Sequence, residues 1–371
     1  MPNAASMVLQ SSSPSCDANR SRDVGGIVLG IESTAHTFSI GWVDGLGVPG
    51  KSISAFVRPV KGGIHPREAA DHHAERAGGI LAQLLDEEVA INEVKAIAFS
   101  QGPGLGPCLR IGASVARSLA TKLDVPLVGV NHCVAHIEVG RERCGCDDPV
   151  LLYASGGNTQ VIARLDGRYR VLGETLDIGI GNMLDKFARE QGIPFPGGPK
   201  IEQLANQWLE EHPDASLEGL ELPYAVQGMD LAFSGILNAA LNLVERGKPL
   251  EAVCWSLQEH AFAACVEVAE RAMAHAGKSE LLLGGGVACN ERLRGMCDMM
   301  SKDRFSTSHV PIKPLCIDNG SMIATLGRLQ LLWGEPTQLN DSGVSKISEP
   351  MKLPFSGIKR SPKANPYCGW V

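Results

Sequence analysis

Two histidines four residues apart form the clearest candidate for metal chemistry in this sequence. His132 and His136 stand in the run NHCVAHIE at 131–138. On a helix, this spacing places both imidazoles on one face with their Cβ atoms about 5–6 Å apart, which suits one divalent cation. A pair of ordinary surface histidines has the same spacing and, for the spacing alone, is the commoner case. A metal site therefore needs further ligands from elsewhere in the chain.

The histidine pair lacks the general base of a zinc protease. In such enzymes a glutamate directly follows the first histidine, whereas here Cys133 occupies that position. The pattern therefore argues against a metalloprotease.

Asp318 and Tyr153 are the candidates for the remaining ligands. Asp318 precedes a predicted helix, and Tyr153 ends a predicted strand just before a glycine-rich turn. A helix N-cap and a core tyrosine are the alternative interpretations. Spacing alone joins neither residue to His132 and His136. Two imidazoles and two oxygen ligands would suit Fe, Zn or Mn, and the sequence does not choose among them.

Three turns rich in glycine, serine or threonine follow predicted strands, at 32–36, 155–159 and 284–286. Turns of this kind can aim backbone N–H groups at phosphates. The third leads from a strand into a helix, where the helix N-terminus adds attraction for an anion. Each turn alone usually only reverses the chain, but the three together favour nucleotide binding.

The elements around these turns predict an α/β protein. Strands at 26–31 and 37–43 flank the first turn, and strands at 150–154 and 160–165 flank the second. The repeat lies in the architecture rather than in the letters, so it suggests a duplication. Two similar lobes with a cleft between them follow from this order.

The remaining elements complete the two predicted lobes. Further strands are predicted at 94–100 and 125–130, followed by a helix beginning near His132. Other helices are predicted at 66–85, 109–122, 182–191, 199–211, 228–246 and 251–276, and a strand, loop and helix within 280–300. The predicted division of the chain is a disordered extension at 1–24, an N-terminal lobe at 25–149, a C-terminal lobe at 150–333 and a tail at 334–371.

Length and composition agree with two globular domains and no membrane partner. The chain has 371 residues, of which 44% are hydrophobic and 20% charged, and roughly 150 residues form one domain. No apolar run approaches the roughly 20 residues that span a bilayer, and 1–23 lacks the apolar core of a secretory signal. The 11 cysteines include no C-x-x-C pair. Reduced thiols and a cytoplasmic location are therefore expected.

Seven segments resemble the universal tRNA threonylcarbamoyladenosine family, called TsaD in bacteria and forming the catalytic subunit of KEOPS in archaea and eukaryotes. Within about 26–345 they follow the order typical of that family. Tyr153, Asn158 and the run SQGPGLGP at 100–107 resemble the archaeal and eukaryotic branch. The segments are VNHCVAHIE at 130–138, LYASGGNTQVI at 152–162, LDKFAR at 184–189, PGGPKIE at 196–202, GMDLAFSGI at 228–236, GGGVACN at 284–290 and IDNG at 317–320.

The resemblance implies a fold, a reaction and a set of site residues. The fold is the actin/sugar-kinase/Hsp70-like ATPase fold, with a nucleotide and metal cleft between two duplicated lobes. The reaction moves a threonylcarbamoyl group from threonylcarbamoyl-AMP to N6 of adenosine 37 in tRNAs that read codons beginning with adenine. The implied ligands of one divalent metal, Fe or Zn, are His132, His136, Tyr153 and Asp318. The implied nucleotide contacts, which could also hold ATP or AMP, are Tyr153, Ala154, Ser155, Gly156, Gly157, Asp185, Gly198, Glu202 and Asn290.

Several positions near these motifs carry weaker predictions. Glu32 in the first turn could assist proton removal, with capping of the turn as the alternative. Arg67, His72 and His73 could face tRNA, although an ordinary helix surface would look the same. Gln227 stands where the family usually has lysine before Gly228, so one contact to phosphate is in doubt.

The net charge bears on the implied partners. A protein that binds tRNA alone usually has a basic surface, whereas this chain carries a formal charge of −7. Help from the KEOPS subunits is therefore expected: a small atypical kinase/ATPase, a dimerising subunit and an accessory subunit. A separate synthase would supply the threonylcarbamoyl-AMP. An ATPase or sugar-kinase-like enzyme and a non-catalytic scaffold are the remaining alternatives.

Overall fold

A computed structural model describes residues 23–57 and 65–333. The predicted extension, apart from its last two residues, and the predicted tail at 334–371 lie outside the described residues. Among the described residues, no helix combines the length and the apolar character needed to cross a membrane. All nine cysteines in the described part of the chain are free thiols.

Five strands form the first sheet in the order β3-β2-β1-β4-β5. β1 and β2 pair antiparallel around the first turn, as predicted, while β4 and β5 extend the sheet in parallel. β1 is apolar up to its last residue, Glu32, and all six of its residues are buried, as expected for a strand covered on both faces. The strands are β1 (Ile27–Glu32), β2 (Thr37–Val43), β3 (Ile53–Phe56), β4 (Val94–Gly102) and β5 (Leu127–Asn131).

The second sheet repeats this topology strand for strand. Its order is β12-β11-β6-β7-β8, with β6, β7 and β8 antiparallel and β11 and β12 parallel to β6. The suggested duplication therefore appears in the strand order of both lobes. A two-stranded hairpin, β9 with β10, lies beside this sheet. The strands are β6 (Val150–Ala154), β7 (Thr159–Leu165), β8 (Arg168–Glu174), β9 (Val226–Gln227), β10 (Asp230–Leu231), β11 (Glu280–Gly284) and β12 (Thr307–His309).

Ten α-helices surround the two sheets in the described residues. Pro66 occupies the first turn of the first helix, where its missing N–H costs nothing. The helices are α1 (Pro66–Glu87), α2 (Gly106–Leu123), α3 (His132–Cys144), α4 (Ile180–Glu190), α5 (Gly198–Glu211), α6 (Ser234–Glu245), α7 (Leu250–Ala276), α8 (Glu291–Asp303), α9 (Lys313–Cys316) and α10 (Gly320–Trp333).

The helix predicted at 228–246 is wrong over its first six residues. Gly228 has a φ of +69° and turns the chain between β9 and β10, a conformation that favours glycine and does not continue a helix. The α6 helix begins only at Ser234. Gln227 is exposed on this hairpin.

Two helices connect the lobes. The α3 helix leads from the first sheet to the second, and α10 returns from the second lobe to pack against β1, β2 and α3. The return is tight: a Cβ at Gly30 would lie 2.2 Å from the Gly320 carbonyl oxygen. The end of the segment predicted as the second lobe thus lies on the first sheet, which brings Asp318 towards α3.

Candidate metal and nucleotide site

The α3 helix presents His132 and His136 on one face. The side chain of Asn131 caps the helix by accepting a hydrogen bond from the Val134 N–H at 3.1 Å, so the helix begins at His132. The two imidazole centroids are 4.9 Å apart, and both side chains are buried. The predicted helical spacing is confirmed, and the histidines are not a surface pair.

Asp318 and Tyr153 reach the same point from two other elements. Asp318, just before α10, has its Oδ1 3.2 Å from His136 Nε2 and 3.4 Å from His132 Nε2. The Tyr153 hydroxyl, near the end of β6, lies 2.9 Å from His132 Nε2. The ligand atoms of the two histidines and Asp318 all lie within 4.8 Å of one another. We call these four side chains the metal group.

Glu32 lies behind the metal group. Its Oε2 is 2.9 Å from His132 Nδ1, while its Oε1 accepts hydrogen bonds from the Thr34 N–H at 2.6 Å and the Thr34 hydroxyl at 2.5 Å. A carboxylate on one imidazole nitrogen fixes the ring and its tautomer while the other nitrogen binds metal. The Glu32 side chain is fully buried, so its geometry is that of a group that orients His132. Its use as a base stays a prediction.

Charge in the metal group is balanced between the acids and the histidines. Burial disfavours charge on His132, but the carboxylates of Glu32 and Asp318 outweigh it and raise its pKa to about 10. Burial, aided by the charge of His132, lowers the pKa of His136. Burial opposes ionisation of Asp318, yet His132 holds the Asp318 pKa well below its usual value. Burial raises the pKa of Tyr153 well above its usual value.

The donor set fits a divalent cation. The positive charge on His132 compensates the buried carboxylates of Glu32 and Asp318. A dication bound to these side chains would replace the proton on His132 and would favour the ionised Tyr153 phenol that burial otherwise disfavours. Two nitrogen and two oxygen ligands in a compact, buried arrangement suit a first-row metal.

The turn after β6 packs directly against the first turn of α4. The Gly181 N–H donates to the Ser155 carbonyl at 3.1 Å, and the Asn182 N–H donates to the Gly156 carbonyl at 2.8 Å. Close approach requires glycine here, because a Cβ at Gly181 would lie 2.7 Å from the Gly156 Cα. These bonds fix the turn that contains Ser155, Gly156 and Gly157, which follows Ala154 and Tyr153.

Asp185 and Glu202 each use one carboxylate oxygen within the protein. Asp185 Oδ1 accepts from the Gly197 N–H at 2.7 Å, beside Gly198, and Glu202 Oε1 accepts from the Glu291 N–H at 2.7 Å. Burial raises the pKa of both carboxyls, and these hydrogen bonds only partly offset it. The Gly198 backbone adds a further hydrogen bond to the Asp185 carboxylate, while the structure gives the second oxygen of Glu202 no hydrogen bond among the described residues.

Both polar atoms of the Asn290 side chain form hydrogen bonds within the protein. It caps α8, with its Oδ1 accepting from the N–H groups of Arg292 at 2.9 Å and Leu293 at 3.1 Å. Its Nδ2 donates to Gln258 Oε1 at 2.7 Å. Sequence reasoning missed Gln258, which lies 32 residues away in the middle of α7, and its position in an apolar helix gave no signal.

A glycine loop joins the metal group to the nucleotide residues. Tyr153 pairs with Gly284 across β6 and β11. The next residue, Gly285, has a φ of +91°, and a Cβ there would lie 2.4 Å from the Ala154 carbonyl oxygen. Its N–H donates to the Cys316 carbonyl at 3.0 Å. The structure thus brings all the predicted metal and nucleotide residues into one connected region.

The three residues predicted to face tRNA do not share one environment. Arg67 is exposed and His72 half-buried on α1. His73 is fully buried, and its Nε2 lies 3.0 Å from the Ala35 carbonyl oxygen. The prediction for His73 is therefore corrected, since its side chain points into the protein and offers no surface to an RNA.

The motifs and this geometry agree with a family match. The family model described as TsaD: tRNA N6-adenosine threonylcarbamoyltransferase matches residues 52–325. The chain belongs to the TsaD family. The predicted resemblance is confirmed, and the match contains every residue of the metal group.

Relatives within the TsaD family cover most of the chain. The tRNA N6-adenosine threonylcarbamoyltransferase of Archaeoglobus fulgidus is 52% identical over 318 residues, which cover 86% of this chain and 95% of that protein. The Methanocella arvoryzae protein of the same name is 51% identical over 330 residues, covering 88% and 98%.

A third relative is longer than this chain. The Thermoplasma volcanium "Probable bifunctional tRNA threonylcarbamoyladenosine biosynthesis protein" is 48% identical over 320 residues, which cover 86% of this chain and 59% of that protein. The chain thus spans about three fifths of the length of this bifunctional relative.

Solved structures resemble the fold at low identity. HypF from T. kodakarensis gives a TM-score of 0.57 with 16% identity, covering 84% of this chain and 48% of that one. The activator of the 2-hydroxyisocaproyl-CoA dehydratase from Clostridium difficile, solved with bound ADPNP, gives 0.52 with 9% identity, covering 87% and 100%. With the duplicated sheets, these likenesses confirm the predicted actin/sugar-kinase/Hsp70-like fold.

Proposed function

We propose that this TsaD-family chain transfers a threonylcarbamoyl group from threonylcarbamoyl-AMP to N6 of adenosine 37 in tRNAs that read codons beginning with adenine. One observation carries the proposal: the metal group adjoins the predicted phosphate turn through Tyr153. Tyr153 precedes Ala154 and Ser155 directly, so a cation held there would lie next to a nucleotide held by the turn. A metal beside a nucleotide is the arrangement that a metal-assisted transfer from an adenylate needs.

His132, His136, Tyr153 and Asp318 would hold one divalent cation, Fe or Zn. When bound, that cation supplies Lewis-acid and template chemistry for the carbamoyl end of the donor. Glu32 keeps His132 in the orientation that points its Nε2 at the group. The buried metal ligands limit the access of water to the cation, which would slow hydrolysis of an activated anhydride.

The nucleotide residues would hold the adenylate along the cleft. The carboxylates of Asp185 and Glu202 would accept hydrogen bonds from ribose hydroxyls. The turn at 154–157 would hold the phosphate with backbone N–H groups. Asn290 would act through the fixed start of α8, because its own amide is already bonded within the protein.

The proposed transfer requires no oxidant and no further co-reactant. The adenosine N6 attacks the carbamoyl carbon, a C–N bond forms, the C–O bond to the phosphate breaks, and AMP leaves with the electron pair. The amine loses one proton to solvent or to a carboxylate. Because the donor is already activated, positioning carries most of the catalysis.

The partners proposed are tRNA and the KEOPS subunits: a small atypical kinase/ATPase, a dimerising subunit and an accessory subunit. The charge of −7 supports this, since a tRNA-binding surface would have to be completed by other chains. A bifunctional relative of greater length also supports a second activity working beside this fold. A separate synthase would provide the donor.

An ATPase is the second candidate function, because the fold is shared with an activator solved with ADPNP. An ATPase of this fold has no need of two buried histidines bonded to Asp318, so the metal group favours the transferase.

The test is transfer of labelled threonine into a transcript of an ANN-decoding tRNA, with the synthase and the KEOPS partners present. Wild type is compared with His132→Ala and with His275→Ala, an exposed histidine at the end of α7. We expect product from wild type and His275→Ala and at least a hundredfold less from His132→Ala. Folded, metal-loaded wild type that gives no product but hydrolyses ATP would favour the ATPase.

A further inference from the structure

A cavity of about 580 Å³ lies outside the metal group and the nucleotide turns. It opens between the C-terminal end of α3, the first two turns of α8 and the segment that links β12 to α9. None of the residues assigned above to metal or nucleotide lines it. Its volume falls in the range of about 300–1,000 Å³ that small-molecule sites occupy.

Most of the cavity wall is apolar. Leu283, Leu315 and Pro311 are buried and form part of it, and Ile312 stands at the rim with 69% of its surface exposed. Removing such surface from water is favourable at roughly 25 cal/mol per Å². The wall therefore favours a ligand with an apolar body.

Two guanidinium groups line the same cavity. Arg294 is anchored by its Nε, which donates to the Ala288 carbonyl at 2.8 Å, and it forms no ion pair with any described residue within 4 Å. Arg143 donates to the Gly47 carbonyl. The single carboxylate of the lining, Asp298, accepts a hydrogen bond from the Ser308 hydroxyl. Arg294 therefore presents a cationic group to the cavity.

The cavity lies directly behind the glycine loop. Leu283 precedes Gly284, and Leu315 precedes Cys316. The segments that follow these two leucines are hydrogen-bonded to each other. The Gly285 N–H donates to the Cys316 carbonyl at 3.0 Å, and the Cys316 thiol donates to the Gly285 carbonyl at 3.4 Å. The cavity therefore shares part of its wall with the segments that lead into the glycine loop and towards Asp318.

We propose that this cavity is a second binding site, which takes a small anion with an apolar body: a carboxylate or phosphate on a hydrocarbon or aromatic group. A guanidinium offers paired N–H donors that match either anion. Arg294 holds the anion while the leucine and proline side chains cover the body. The site is separate from the proposed transferase chemistry and does not depend on it.

The test is a fluorescence titration of the full chain with anilinonaphthalene sulfonate, an anionic aromatic dye, and with phenyl-naphthylamine, its uncharged counterpart. Three variants are compared with wild type: Arg294→Gln removes the charge, Ser308→Phe fills the cavity, and Lys302→Gln removes a charge from the same helix away from the cavity. Near-UV circular dichroism confirms that each variant is folded. Octanoate and phenyl phosphate then compete with the bound dye.

We expect Arg294→Gln to weaken the affinity for the anionic dye at least tenfold and the affinity for the uncharged dye less than twofold, as the loss of a charge-assisted hydrogen bond requires. Ser308→Phe abolishes binding of both dyes, and Lys302→Gln leaves both unchanged. Displacement by octanoate identifies a carboxylate ligand and displacement by phenyl phosphate a phosphate ligand. Equal affinity of Arg294→Gln and Lys302→Gln for the anionic dye, or displacement by neither competitor, would overturn the proposal.

Discussion

His132 Nδ1 lies 2.9 Å from Glu32 Oε2, while Nε2 of the same ring lies 2.9 Å from the Tyr153 hydroxyl. The imidazole therefore links a carboxylate of the first lobe to the metal group at the junction of the lobes. Glu32 ends β1, and Tyr153 belongs to β6, so each nitrogen is positioned by a different sheet. A small rotation of one lobe against the other would change the geometry of the metal group.

Glu32→Gln should weaken metal binding by about 10–100-fold, because the amide no longer supplies the charge that orients His132 and raises its basicity. The measurement is a zinc titration against a competing chelator at fixed pH. Glu93→Gln, a change in the short helix before β4, is the control and should bind zinc like wild type. A Glu32→Gln affinity within twofold of wild type would contradict the orienting role.

Addition of zinc or ferrous iron should raise the thermal midpoint of the wild-type chain. A ligand that binds only the folded state stabilises it by RT ln(1 + [L]/Kd), about 2.7 kcal/mol at a hundredfold excess over Kd. In His136→Ala this rise should shrink to less than a third, since one of the buried ligands is lost. Differential scanning calorimetry with and without metal measures both, and an unchanged rise in His136→Ala would rule out its place among the ligands.

His73 should make the folded chain less stable in mild acid. Burial, then the charge of His72, lowers its pKa from 6.5 to about 4. The unfolded chain thus binds more protons between these values. Stability contributed by neutral His73 is complete above about pH 6.5 and is lost as the pH falls towards 4, by roughly 2 kcal/mol between pH 7.5 and 5.

Urea unfolding at several pH values tests this prediction. His73→Gln can still donate to the Ala35 carbonyl but does not titrate, so its stability should fall less than that of wild type between pH 7.5 and 5. His72→Gln, at the adjacent half-buried position, should keep most of the wild-type slope. Identical slopes in wild type and His73→Gln would show that His73 does not titrate as described.

Asn290→Ala should cost about 1–2 kcal/mol of stability, because it removes the cap of α8 and leaves two N–H groups unpaired. Asn290→Ser keeps an acceptor for the helix and should recover at least half of that loss. If the α8 start positions the nucleotide, AMP affinity should follow the same order, measured by calorimetric titration. Equal AMP affinity in all three proteins would remove Asn290 from the nucleotide site.

Much of the fold could be predicted because local patterns of apolar and polar residues determine many of its strands and helices. The predicted strands at 37–43 and 150–154 coincide with β2 and β6, since continuous apolar runs bounded by polar turns have few alternatives. The alternation in β8 is weak, with two exposed neighbours in its middle, and the sequence patterns predict no strand there. The hairpin at Gly228 interrupted what looked like one helix.

The site depends more on contacts distant in sequence than the fold does. The helical spacing of His132 and His136 identifies them as a pair. Asp318 lies 182 residues after His136 and reaches the pair only because α10 folds back onto the first sheet. Local periodicity does not encode that return, and the family motifs supplied it. Gln258 belongs to no recognisable spacing, since it contacts Asn290 only because tertiary packing brings together two residues that are 32 positions apart.

Gly285→Ala should distort the contact between the glycine loop and β6, the strand that leads from the metal group into the nucleotide turn. Gly285 has a φ of +91°, where other residues are strained, and an added Cβ would meet the Ala154 carbonyl oxygen at 2.4 Å. Because that oxygen belongs to the strand carrying Tyr153, relief of the clash has to move β6 or the glycine loop. We expect a loss of about 2–4 kcal/mol in stability and a weaker affinity for both zinc and AMP.

Gly286→Ala is the matched control for this change, one residue further along the same loop. A Cβ at Gly286 meets no atom within 4 Å, and its φ lies outside the strained range. Its stability should therefore stay within about 0.5 kcal/mol of wild type, as for an uncrowded surface change. Urea unfolding and the two ligand titrations compare the pair. If Gly285→Ala and Gly286→Ala behave alike, the close approach of the loop to β6 does not control the site.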